Sequence, residues 1–260
     1  MSGEPEKTTT PKARVLTVKN IYDKQYDTLK VSGIWAEVLG EVEANGAWLI
    51  YGKEKNGKTT AALMLAWHLS KSYRVLYISA EEGVGKAFRD TLQRIGVDAG
   101  ARNIHFMDYE KVPLLKERLK RRKSAEVVLV DNLTIYNDEL KGNALREFLR
   151  ELRSKLIIFV AHEERGEPYT AAAKLARKLA KVIIHVKGLL CSVSGRVPGG
   201  TLIIDEVKAQ LYHGYNIKNE GTTNKAEQEV LPAPEVKEAL PGRSKKKANP
   251  RPNRGGGRND

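Results

Sequence analysis

The chain has 260 residues, 41% of them hydrophobic, and 45 Lys and Arg stand against 32 Asp and Glu for a formal net charge of +13. That length suits one α/β domain with appendages and a large core, and the charge favours a polyanionic partner, nucleic acid before membrane. A single cysteine, Cys191, excludes an intrachain disulfide framework and a multi-cysteine zinc site; no apolar run approaches the ~20 residues of a membrane span, and the polar start has no secretory core, so a soluble cytoplasmic protein is expected.

In chain order, residues 1–30 read as a flexible N-terminal segment whose first 14 residues are polar and bear Thr, Pro and Lys. A short helix is expected over residues 34–39. Short apolar runs then appear at 48–51, 75–79, 104–107, 127–130, 156–161, 182–186 and 202–204. They are too short for helices and too uniformly apolar for a one-sided sheet, which predicts strands buried on both faces. Amphipathic helical patterns separate most of them, at 60–70, 86–95, 112–122, 140–155 and 171–181. This alternation predicts a mainly parallel sheet flanked by helices, within a domain over 31–216. Residues 192–200, rich in Gly and Ser, read as a loop joining the last two strands as an antiparallel edge. From 217 to 260 the composition turns to Asn, Glu, Pro, Lys and Gly without periodicity, which predicts a disordered basic tail.

The most specific motif follows the first apolar run: Gly52, Lys53, Glu54, Lys55, Asn56, Gly57, Lys58, Thr59, with Thr60 opening the helical pattern. Glycines at both ends let the backbone turn its N–H groups toward a polyphosphate. Lys58 sits where the helix begins, so its ammonium and the helix dipole meet the same phosphates. The Thr59 hydroxyl suits Mg²⁺.

Ligands of an open parallel sheet bind beyond the carboxyl ends of its strands. Asp131 ends the run at 127–130 and is the second expected Mg²⁺ group. Glu81, or less favourably Glu82, ends the run at 75–79 and could activate a water. His162 ends the run at 156–161 and could bond a terminal phosphate or that water, with a structural histidine as the plain alternative. The basic run 116–123 closes a helix and reads first as a solvated helix end. Lys174, Arg177 and Lys178 have the better claim to a nucleic acid.

Taken in order, GKEKNGKT, VLYISAEE, VVLVDN, LIIFVAHEE and LIIDEVKAQLYHG resemble the RecA-type ATPase core, in particular the short RadA/RepA-like proteins of phages and mobile elements, over roughly residues 34–214. The resemblance implies an oligomeric, ATP- and Mg²⁺-dependent ATPase acting on single-stranded DNA in recombination or replication, in a bacterial host cytoplasm if phage-encoded. It implies Glu81 as catalytic base, His162 as γ-phosphate sensor, residues 163–170 as the DNA-contacting loop, and Lys208 as a cation completing a neighbouring subunit's site. Gln210 stands where recombinases tend to carry a second basic residue. The tail, with seven basic residues against one acidic from Arg243 on, reads as a DNA-holding arm or a docking segment for a replication or recombination protein. A small-molecule kinase and a regulatory nucleotide switch acting through a protein partner are the alternatives.

Overall fold

A computed structural model describes residues 15–214; the lead-in before Val15 and the basic tail lie outside the described residues. The helices are α1 (Val18–Tyr22), α2 (Ile34–Leu39), α3 (Lys58–Ser70), α4 (Lys86–Ile95), α5 (Val112–Lys120), α6 (Asn137–Leu140), α7 (Asn143–Glu151), α8 (Ala171–Leu179) and α9 (Glu206–His213). The strands are β1 (Gly46–Gly52), β2 (Val75–Ser79), β3 (Ile104–Met107), β4 (Val127–Asp131), β5 (Leu156–Glu164), β6 (Glu167–Pro168), β7 (Val182–Lys187), β8 (Leu190–Gly195) and β9 (Gly200–Ile203).

Eight strands run in the order β3-β2-β4-β5-β1-β7-β8-β9, parallel from β3 to β7 and antiparallel beyond it, while β6 pairs with the end of β5. The strand carrying the phosphate loop is thus interior, between β5 and β7. Alternation of side chains along each strand divides the core into two layers. Trp48, Ile50, Leu129, Ile158 and Val160 pack with α2 and α3 on one face. Leu49, Tyr51, Val128, Val130, Ile157 and Phe159 pack with α5 to α8 on the other. Helix α3 shows buried positions around most of its circumference, as its run Ala61-Ala62-Leu63 requires. Small residues there let it lie close across the sheet.

Three expectations need correction. Residues 192–200 are not all loop: β8 fills half of them and forms the middle strand of the antiparallel edge. Its alternating buried and exposed residues carry too many Ser and Gly to read as a strand, but pairing on both sides supplies what propensity lacks. The helix expected over 140–155 is two helices, broken at Gly142, whose φ of 61° is unfavourable for other residues. Residues 27–30 are already tied to the domain, with Leu29 N–H bonded to Val42 C=O at 2.8 Å and Ala44 N–H to Asp27 C=O at 2.8 Å.

Phe148, fully enclosed on α7, should be costly to truncate: Phe148→Ala is expected to lower stability by about 3–5 kcal/mol. Leu211→Ala, on the exposed face of α9, should stay within about 0.5 kcal/mol. Urea midpoints of the two variants check this contrast.

Candidate functional site

The parallel register brings the strand ends to one edge. Gly52 pairs with His162, Asp131 with Val160, and Ser79 with Asp131. Beyond that edge lies a cleft of about 500 Å³, lined by Lys58, Thr59, Glu81, Glu82, Asp131, Asn132, His162 and Lys208 among others.

The phosphate loop needs both of its glycines. A Cβ on Gly52 would stand 2.1 Å from the Val186 carbonyl oxygen of β7, and one on Gly57 would stand 2.4 Å from Leu189 Cδ2. Gly57 also has a φ of 95° and caps α3. The loop's back is fastened to the β7–β8 turn: the Asn56 amide oxygen accepts from Gly188 N–H at 2.7 Å, and the Asn56 carbonyl accepts from Leu189 N–H at 3.1 Å. The Asn56 amide group donates to the Glu54 carbonyl at 2.9 Å. Thr60 accepts from Arg94 at 3.4 Å. Among the described residues, no backbone N–H from Glu54 to Thr59 finds an acceptor in the protein. An array of free N–H donors at a helix start is what a polyphosphate satisfies, so the cradle fits a nucleotide.

Lys58 is buried, and its Nζ donates to the Lys53 carbonyl at 2.8 Å. Burial lowers its pKa, against which Asp131 and then Glu81 pull upward. Asp131 is buried as well, and burial raises its carboxyl above the usual range. The Tyr77 hydroxyl donates to Asp131 Oδ2 at 2.6 Å and works against that rise, as does the Thr59 hydroxyl. Among the described residues no three His, Cys, Asp or Glu side chains gather into a closed metal cage. Thr59 and Asp131 offer oxygens of the kind that Mg²⁺ takes alongside those of phosphate and water.

Glu81 is held from two sides. Its Oε2 accepts from the Asn132 amide at 2.5 Å and lies 3.0 Å from His162 Nε2. Asn132 is itself fixed by accepting from Thr134 N–H at 2.6 Å. Glu82 lines the cleft, but no side chain is bonded to it among the described residues. His162 thus faces a carboxylate, while its Nδ1 is buried without a partner.

The resemblance gave Lys208 to a neighbouring subunit's site; within one chain, α9 places it on the lining of the chain's own cleft. Asp205 caps α9, accepting from Lys208 N–H at 3.1 Å and pairing with its ammonium at 3.2 Å. Among the described residues the Gln210 side chain bonds Glu206 on the same helix, at 3.3 Å. The expected DNA loop, 163–170, is a tight β5–β6 hairpin in which Glu163, Glu164 and Glu167 outnumber Arg165. On α8, Arg177 is bonded to Glu167 and lies over the Tyr51 ring.

Sequence reasoning missed Tyr77, Asn132 and Leu189. Tyr77 and Asn132 act on the carboxylates across 54 and 51 residues of chain, and only the sheet order reveals such pairs.

The strand order, the loop on the interior strand and the Asp131 strand end are those of a RecA-like α/β core. Over 122 residues it is 30% identical to the DNA repair and recombination protein RadB of Archaeoglobus fulgidus. The match takes 45% of this chain and 55% of that protein, so the chain spans about half the length of this curated relative. The flagellar accessory protein FlaH of Methanocaldococcus jannaschii superposes with a TM-score of 0.52 at 16% identity, over 70% of this chain and 96% of that one. A KaiC-like protein of Pyrococcus horikoshii gives a TM-score of 0.47 at 15% identity, over 69% and 87%. No family model matches the chain. Among the described residues no helix is long and apolar enough to cross a membrane.

The raised Asp131 carboxyl has a sign. Its folded-state pKa exceeds the unfolded value, so folding favours the protonated form, and metal-free stability falls as pH rises through the folded pKa. Asp131→Asn removes that loss and should leave the metal-free protein at neutral pH as stable as wild type or more so. It should also abolish stabilisation by added Mg²⁺. Urea midpoints at acid and neutral pH, with and without the ion, report both effects.

Proposed function

We propose that the protein is a Mg²⁺-dependent ATPase that works as an oligomer on single-stranded DNA in recombination or replication. The observation that carries the hydrolytic part is the Glu81 carboxylate, held by Asn132 and His162 in the cleft that Lys58 and Asp131 line. Lys58 and the free N–H groups of the loop would bind the phosphates, and Thr59 and Asp131 would hold the ion. Mg²⁺, when bound, offsets charge on the phosphate oxygens. Glu81 takes a proton from, or orients, the attacking water, with His162 fixing its position. Lys208 adds a cation to the cleft of its own chain. Phosphoryl transfer asks mainly for positioning and electrostatics, which these groups supply.

The DNA part rests on the likeness to RadB, whose name assigns it to DNA repair and recombination, and on the net charge of +13. Oligomer formation is taken from the resemblance to RecA-type ATPases.

Lys58→Ala should lose nucleotide binding. Glu81→Gln should still bind ATP but hydrolyse it about 10²–10⁴-fold more slowly, while Glu82→Gln is mild. Equilibrium binding of a fluorescent ATP analogue, alongside phosphate release with and without single-stranded DNA, separates these outcomes; wild-type turnover by Glu81→Gln sinks the assignment.

Lys208→Ala should slow hydrolysis without help from a neighbour. Mixtures of Lys208→Ala and Lys58→Ala subunits are expected to recover no activity, and recovery in mixed assemblies would return Lys208 to the trans role.

A further inference from the structure

A basic surface lies at the other end of the sheet from the cleft. There the chain leaves α5 and enters β4 through Arg121, Arg122 and Lys123, all exposed. Two grooves of about 410 and 500 Å³ flank this turn, and both are lined by Arg74, Arg121 and Lys123. Lys155 lines the smaller groove. β4 is five residues long, so this surface is separated from the strand ends of the nucleotide cleft by about 15 Å.

The reading of 116–123 as a solvated helix end accounts for part of this cluster. Lys116 and Lys120 both bond Glu151 of α7, which holds that carboxyl down to about 2. Arg118 forks onto Glu110 at 2.7 and 2.8 Å. Arg74 pairs with Glu126 at 3.2 Å. Glu110, Glu126 and Glu151 are engaged by these pairs, and Arg121, Arg122 and Lys123 have no carboxylate partner among the described residues.

Two features say that positive charge is concentrated here against its own cost. Lys123 holds a φ of 63°, a conformation that glycine takes freely and a lysine does not. Lys155, half-buried and donating to Ser124 Oγ at 2.9 Å and the Ala125 carbonyl at 2.5 Å, has its pKa lowered by burial and by the neighbouring Arg74. Like charges held this close are relieved by an anion. The opposite edge has the wrong sign for one as large as a nucleic acid, because the β5–β6 hairpin bears three glutamates and Arg177 is already engaged.

From this arrangement we infer that the turn 121–123 and its two grooves bind the phosphate backbone of a nucleic acid, on the face of the domain opposite the nucleotide cleft. The inference takes from the proposed function only the class of partner. Contact is to phosphates, so sequence is not read. Guanidiniums at 121 and 122 suit paired bonds to phosphate oxygens.

The test is fluorescence anisotropy of the full chain with a labelled oligo-dT and with a duplex of equal length, across a salt series. The variants are the triple reversal Arg121→Glu, Arg122→Glu, Lys123→Glu, the single Lys123→Gly, and Lys174→Glu with Lys178→Glu on α8. The tail is present throughout, so differences in slope belong to the substituted residues. The triple reversal should weaken oligo-dT binding about tenfold or more at low salt and flatten the log-log salt slope by about 2, at about 0.7 per lost contact, with basal ATP hydrolysis unchanged. Lys123→Gly should melt at or above the wild-type temperature yet bind more weakly, an outcome that a merely structural lysine would not give. Unchanged affinity and slope in the triple variant overturn the inference but leave a DNA-acting ATPase standing, the more so if the α8 variant loses binding. Failure of the wild-type chain to bind either probe at low salt overturns both. Binding to phosphatidylserine vesicles without binding to the oligonucleotides assigns the surface to a membrane instead.

Discussion

Lys58 and Asp131 are opposite charges buried at one edge of a parallel sheet, and neither is solvated as it would be in water. Burial lowers the pKa of one and raises that of the other, so each is harder to ionise there than in water, and Asp131 offsets part of that cost for Lys58. The strand order serves that edge. β1 brings the lysine by way of its loop, β4 brings the aspartate, and β5 between them brings His162. The covering helices exclude water from the faces of the strands, and the cleft opens beyond their carboxyl ends.

How far the sequence disclosed this depends on the range of the interaction. The phosphate loop is a contiguous motif whose spacing is set by backbone geometry, so it could be read directly. Asp131 and Glu81 were legible because buried parallel strands are apolar runs, and a carboxylate at the end of one is conspicuous. The partners that fix those carboxylates were not. Tyr77 looks like an ordinary strand aromatic and Asn132 like a turn residue, and their roles exist only once β2 lies beside β4. β8 was lost because its alternation of Cys and Val with Ser and Gly is weak without the strands that flank it. The place of Lys208 on its own chain's cleft was not legible for a different reason, since the direction taken by a chain after its last strand is a tertiary fact.

Charge is sorted along the strand direction. Glu54, Glu81, Glu82 and Asp131 line the nucleotide edge beside Lys55, Lys58 and Lys208, while Arg121 and Arg122, without carboxylate partners among the described residues, stand at the far end, where the strands begin. The net charge of +13 is silent on this division, because a sum over the chain does not say where the charges stand.

The β7–β8 turn, pressed on the phosphate loop through Gly188, Leu189 and Asn56, also limits how the protein can vary. A side chain at 188 would meet the Tyr212 ring at 2.1 Å, and the turn is bonded to the loop in front of it while Ile204 N–H bonds the Leu189 carbonyl behind it. The turn is therefore a keystone whose length is fixed from three directions. The β8–β9 connection is tied elsewhere, with Arg196 N–H on the Lys181 carbonyl at 2.8 Å and Gly199 N–H on the Val38 carbonyl at 3.0 Å, so a change of length there would act first on α2 and the start of β7 rather than on the phosphate loop.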